Sequence, residues 1–185
     1  MRLDVTDEAM VDAAFGGAED RLGPVELLVL NAGVFVIKRF EETSLDSWRR
    51  TLDVNLTGAF LCARRALPPM RAAGFGRVVA LGSSAGKTGG AKSVAAYAAS
   101  KAGVMALAKS IASEFAGTGV TSNALAPALI DTEMIRSMPD MRERVPIGRL
   151  GTPQDVADLV AFLCSAHASY ITGEVVDVNG GFLID

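Results

Sequence analysis

Tyr97 and Lys101 stand four residues apart in the run Tyr97-Ala98-Ala99-Ser100-Lys101. On a helix that spacing puts both side chains on one face, a turn apart. A phenol with its ordinary pKa near 10 is a poor acid or base at neutral pH. A neighbouring ammonium favours the phenolate and moves the pKa down. The pair then becomes a usable proton donor or acceptor for a carbonyl and its alcohol. Ser83 and Ser84 close a short apolar run, Val78 to Leu81. A hydroxyl there can hydrogen-bond a substrate oxygen beside the phenol, or simply build a turn. Asn55 sits inside a helical pattern, where its amide competes with the backbone. It is either a surface side chain or a place where the helix opens and holds a water. Asn31-Ala32-Gly33 ends another apolar run, and small residues there let a flat group approach the backbone or simply end a strand.

Two other patterns carry less. Gly82 to Thr88 nearly spells a phosphate-binding loop, but Leu81 stands where the first glycine belongs. The helix should begin at Gly86-Lys87-Thr88, and Gly89-Gly90 breaks it at once. His167 is the only histidine and falls after the last long helical pattern, away from both serines. It reads as a surface or helix-end residue.

The chain has 185 residues, half of them apolar, and carries a net charge of −3 with no basic block. That excludes a disordered polyelectrolyte and gives no electrostatic support for binding nucleic acid or an anionic membrane. Cys62 and Cys164 lack a second cysteine or a histidine at metal-ligand spacing, and read as reduced core thiols. No apolar run approaches the ~20 residues that cross a bilayer, and the first residues hold no signal-peptide core. The expected address is the cytoplasm.

The elements that must position these groups alternate. A helix capped by Thr6 leads through the Gly23-Pro24 break to a strand at Leu27–Leu30. That strand lacks polar alternation, as when both faces are covered. A helix from Asp46 to Ala73, with Ser44 as its cap, should kink or end at Pro68-Pro69. A second two-face strand at Val78–Leu81, a helix from Val94 to Ala116, a strand at Val120–Leu125, a helix opening at Thr152-Pro153 and a strand at Val175–Val178 complete the order. This α-β-α-β-α-β-α-β alternation predicts a doubly wound α/β domain, 1–185, with a mostly parallel sheet and helices on both faces. Ligands in such a domain sit at the carboxyl ends of the strands, where the segments after Gly33, 82–93 and 127–151 lie.

Together these residues resemble the short-chain dehydrogenase/reductase family over nearly the whole chain. Tyr97 to Lys101 matches its Y-x-A-S-K motif, and Leu81-Gly82-Ser83 its serine strand. Asp53-Val54-Asn55 is similar to the motif of its helix-opening asparagine, and Asn31-Ala32-Gly33 to its N-A-G turn. Asn123 to Pro127 with Thr132 matches its nicotinamide-side segment, and Tyr170 to Gly173 with Val178 to Gly181 its closing strand. Asp4-Val5 looks like the strand-end acid that meets the adenine. The chain departs at Ala128, where glycine is usual, and at Asn179, where aspartate is. Ser84 also lies at a spacing from Tyr97 that the family uses. Ser83 is chosen because Asn55 and the strand align with it and because Ser83 to Gly86 fits S-x-x-G.

The resemblance implies an NAD- or NADP-dependent oxidoreductase acting on a ketone or secondary alcohol. The 3-oxoacyl-carrier-protein reductases and the polyol or sugar dehydrogenases match about equally. It implies that Tyr97 carries the proton and that Lys101 lowers its pKa and holds the nicotinamide ribose. Ser83 would stabilise the carbonyl oxygen, and Asn55 would hold a water leading to Lys101. Asp4, Val5, Asn31, Ala32, Gly33, Pro127, Ile130 and Thr132 would contact the cofactor. The lid would run from Glu133 to Val145, with Met134, Ile135, Met138 and Met141 packing it. The helices 46–73 and 94–116 correspond to those the family uses for homodimer and homotetramer contacts. The family pattern also opens with a glycine-rich strand-turn-helix and a second βα unit, which at about 30 residues per unit puts about 60 residues ahead of Asp4. The expectation is therefore an N-terminally truncated chain whose Leu27–Leu30 strand is an exposed apolar edge. The competing reading is a catalytically inactive chain serving as an interaction module.

Overall fold

The computed structural model describes residues 2–136 and 141–184. Helix α1 (Glu8–Leu22) is capped by Asp7, whose carboxylate accepts from the Ala9 and Met10 amides at 2.9 and 3.1 Å. This corrects the expected Thr6 cap. The Thr6 hydroxyl instead donates to Asp4 Oδ1 at 2.8 Å, and the free carboxylate of Asp7 is the better acceptor for the helix's unpaired amides. Strand β1 (Leu27–Leu30) follows.

A helical rod then runs from α2 (Leu45–Leu52) through a π-helical turn (Asp53–Thr57) into α3 (Gly58–Ala73). Ser44 caps it as expected, accepting from the Ser47 amide. Pro68 and Pro69 lie inside α3 without ending it. The helix runs another turn and stops at Gly74, whose φ of 69° suits a residue without a side chain.

Beyond it lie β2 (Gly76–Leu81), the short α4 (Ser84–Thr88), α5 (Ala95–Phe115), β3 (Val120–Pro127), α6 (Glu133–Arg136), α7 (Pro153–Cys164) and β4 (Val175–Val178). At Thr152 the expected cap of α7 is a full capping box with Asp155. Helix α4 opens at Ser84 and stops at Gly89, so the geometry of a phosphate-binding loop is absent there.

The four strands pair in parallel in the order β1-β2-β3-β4. Alternation sends Leu28, Leu30, Val78, Ala80, Ala124 and Ala126 into a core with α1, α3 and α5. Val79, Leu81 and Leu125 face the other way, toward Leu163 on α7. Strand β2 is buried throughout. Strand β1 is not: Leu27 and Val29 remain 51% and 43% exposed. Its apolar run is thus an edge strand covered on one face, against the two covered faces its pattern suggests and in line with the expected open edge.

Cys62 and Cys164 are free thiols. Among the described residues no helix is long and apolar enough to cross a membrane, and no cluster of His, Cys, Asp or Glu could hold a metal ion.

Candidate active site

A groove of about 690 Å³ opens at the carboxyl ends of β1, β2 and β3 and continues between β1 and α7. Asn31, Gly33, Ser83, Tyr97, Lys101, Pro127, Ile130 and Thr132, from four separate stretches of chain, all line it. Two glycines let its parts meet. A Cβ on Gly82 would lie 2.8 Å from the Leu125 carbonyl, and one on Gly86 would lie 2.7 Å from the Ala102 backbone nitrogen. Lacking both, the segment after β2 lies directly against β3 and α5, and Ser83 reaches the first turn of α5.

Ser83 and Tyr97 meet on this groove, and the Ser83 hydroxyl stands where it favours the phenolate form of Tyr97. It also caps α4, accepting from the Ala85 amide at 3.1 Å. Ser84 is as buried as Ser83 but does not line the groove. The Tyr97 ring is steadied from its edge by Phe35, with centroids 4.8 Å apart at 84°. Lys101 is buried, and its ammonium donates to the Leu81 carbonyl at 2.6 Å. It lies 5.8 Å from the centre of the Tyr97 ring.

Burial pushes the Lys101 amine down to about 8, because a dry site disfavours its charged form. Burial likewise pushes the Tyr97 phenol up, and the hydrogen bond from Ser83 works against that rise. This departs from the expected lowering of the phenol by Lys101. The ammonium is directed at Leu81 and is itself weakened by burial, so Ser83 is the group that favours the phenolate.

Asn55 is 1% exposed, inside the π-helical turn. Its Oδ1 accepts from the Val34 amide at 2.7 Å, and its Nδ2 donates to the Val34 carbonyl at 3.0 Å and to Ser100 Oγ at 2.9 Å. Ser100 in turn donates to the Tyr97 carbonyl at 2.7 Å. Asn55 therefore ties the Asn31–Val34 turn to the helix that bears Tyr97. A Cβ on Gly33 would stand 3.4 Å from Asn55 Oδ1 and 3.6 Å from Lys101 Nζ, which measures how closely the turn approaches both.

Ile130 forms a parallel bridge with Gly151, in which the Asp131 amide and the Leu129 carbonyl do the bonding. The Ile130 N–H and C=O are thereby turned away from Gly151. Met134 and Ile135 also line the groove, whereas Met138 lies outside the described residues.

Asp4 and Val5 lie apart from this groove. They sit in a turn rather than at the end of a strand, where the Thr6 amide and hydroxyl hold the Asp4 carboxyl below its usual range. Val5 shares a smaller pocket of about 220 Å³ with Asn31 and Ala32. It gets there because Gly58 has no side chain: a Cβ would lie 2.6 Å from Val5 Cγ2. Sequence reasoning missed Gly58 and Phe35. A glycine opening a helix offered a weak signal for the first, and nothing local marks the second.

Buried donors around a backbone-lined turn, with a phenol, a hydroxyl and an amine at the rim, suit a flat, partly polar cofactor with a carbonyl beside it. Comparison with known proteins agrees. The family model described as enoyl-(acyl carrier protein) reductase matches residues 1–183. The chain is 43% identical to the 3-oxoacyl-[acyl-carrier-protein] reductase MabA of Mycobacterium tuberculosis over 186 residues, which are 98% of this chain and 75% of that one. It is 40% identical to cis-4-hydroxycyclohexanecarboxylate dehydrogenase of Sinomonas cyclohexanicum, with the same coverage. A crystal structure from Agrobacterium tumefaciens, provisionally assigned as a gluconate dehydrogenase, superposes with a TM-score of 0.92 at 32% identity, covering 97% of this chain and 74% of that one. A parallel sheet with a tyrosine and a lysine at its carboxyl edge, matched end to end by such relatives, makes this chain a member of the short-chain dehydrogenase/reductase family of NAD(P)-dependent oxidoreductases.

Proposed function

We propose that this chain interconverts a ketone and a secondary alcohol, with Tyr97 as proton donor and acceptor. The observation that carries this is the convergence of Ser83, Tyr97 and Lys101 on one groove. A nicotinamide ring, NAD or NADP, supplies the hydride chemistry when bound. Asn31, Ala32, Gly33, Pro127, Thr132 and the Ile130 backbone would hold it, with Asp4 and Val5 toward the adenine.

In the reducing direction a carbonyl oxygen between Ser83 and Tyr97 accepts from the Ser83 hydroxyl, in a hydrogen bond that strengthens as negative charge develops. Tyr97, kept protonated by burial, gives its proton to that oxygen. Lys101, held near 8, can return a proton to the phenolate at neutral pH. The wide turn at Asn55 frees a backbone carbonyl for a water leading toward Lys101.

The groove wall is largely apolar, with Val29, Met134, Ile135, Val156 and Val160 along it. That favours a 3-oxoacyl thioester over a polyhydroxylated sugar, whose hydroxyls would find few partners. We further propose a homodimer or homotetramer in the cytoplasm, built on α3 and α5. Phe60, Leu67, Leu107 and Phe115 line an apolar groove between these helices, and sedimentation should find no monomer at micromolar concentration.

Tyr97→Phe tests the proton role. It keeps the ring against Phe35 and removes only the hydroxyl, so the fold should survive. Reduction of a 3-oxoacyl thioester should fall by about 10²–10⁴-fold. Undiminished turnover would overturn the reading.

A further inference from the structure

Ser83 acts from the N-cap of a very short helix, and a five-residue helix has little stability of its own. Something must hold α4 in place for Ser83 to be aimed. One side is fixed by the absence of a Cβ on Gly86, which lets α4 lie on the α5 backbone. On the other side Lys87, in the last turn of α4, reaches Asp177 on β4, with Nζ 2.6 Å from Oδ2. Asp177 pairs with Ala126 in the sheet register and so shares the face on which α5 packs. Both side chains are about four-fifths buried, where an ion pair is screened far less than at the surface. Lys87 and Asp177 are 90 residues apart, and no step of the proposed chemistry uses either.

We infer that the Lys87–Asp177 ion pair is a positioning device that clamps α4 to β4 and so aims the Ser83 hydroxyl at Tyr97. The inference rests on the reading of Ser83 given above. Losing the clamp lets α4 pivot about Gly86, and the Ser83 donor leaves the phenol oxygen. The tyrosine's own titration reports this directly. The chain has only two tyrosines, and Tyr170 is fully exposed, so Tyr170→Phe leaves Tyr97 as the single phenol.

In that background the phenolate absorbance of the full chain is followed against pH. Ser83→Ala should move the Tyr97 midpoint upward, since it removes the donor that favours the phenolate. Lys87→Met and Asp177→Asn should each move it the same way by a comparable amount, and the charge-swapped double variant Lys87→Asp with Asp177→Lys should restore much of it. Asp177→Asn preserves shape and guards against misfolding of Lys87→Met. A midpoint that moves in Ser83→Ala but stays in both clamp variants would overturn the clamp alone. A midpoint unmoved by Ser83→Ala would overturn the Ser83 contact and the clamp with it.

Discussion

The two faces of the sheet are built differently. On one, α1, α3 and α5 seal the strands, and Val78, Ala80, Ala124 and Ala126 are almost wholly withdrawn from solvent. On the other, α7 covers β2 and β3 through Val79, Leu81, Leu125 and Leu163, while the Leu27 and Val29 side chains of β1 stand open. The sealed face carries the rigid frame, and the open one the cavity. Tyr97 and Lys101 join them: both are borne by the sealing helix α5, yet both line the groove. A reactive group gains orientation from the dense side and access from the loose one.

This contrast can be broken most severely at Met70. It is 1% exposed on the sealed face and presses against Gly76. Met70→Ala should cost about 2–5 kcal/mol in urea unfolding; a loss under 1 kcal/mol would mean the sealed core is looser than its burial indicates.

The next effect is at the junction. Lys101 binds its proton less tightly folded, near 8, than unfolded, near 10.5. Between those values the unfolded chain carries more protons, so stability rises with pH across that window. The contribution is fully present above 10.5 and is lost as pH falls through 8. Lys101→Met should flatten the rise seen between pH 8 and 10 and should stabilise the protein at pH 7 by up to about 3 kcal/mol. An unaltered slope would remove Lys101 as its source.

The smallest effect belongs to the open face. Leu27→Ala in the 185-residue chain should change unfolding free energy by no more than about 0.5 kcal/mol, and a large loss would show that Leu27 is covered in solution.

Much of this arrangement was legible from local pattern. The order of elements follows from apolar runs and helical spacing, and Tyr97 and Lys101 announce themselves because their relation is one helical turn. The Ser44 and Thr152 caps were readable for the same reason. What escaped depends on distance in space. Lys87 and Asp177 meet across the fold, and Phe35 finds Tyr97 through the turn that Asn55 holds. The rise of the Tyr97 phenol also could not be read from sequence, because a neighbouring lysine is visible there and burial is not. Thr6 was mistaken for a cap because Asp4, two residues earlier, competes for its hydroxyl. The two-face reading of Leu27–Leu30 failed because composition records what a strand could bury, not which neighbours are present to cover it.

The π-helical turn at Asp53–Thr57 carries one residue more than regular winding allows. Each residue of an α-helix advances about 100° around the axis, so the extra one resets the phase between Leu45–Leu52 and Gly58–Ala73. Deleting a single residue there would recover even pitch and rotate Ala59, Cys62, Ala63 and Ala66 away from the strands they now touch. The two halves of this rod therefore follow separate hydrophobic clocks, and an insertion or deletion tolerated elsewhere on the surface would be a whole-fold lesion at this joint.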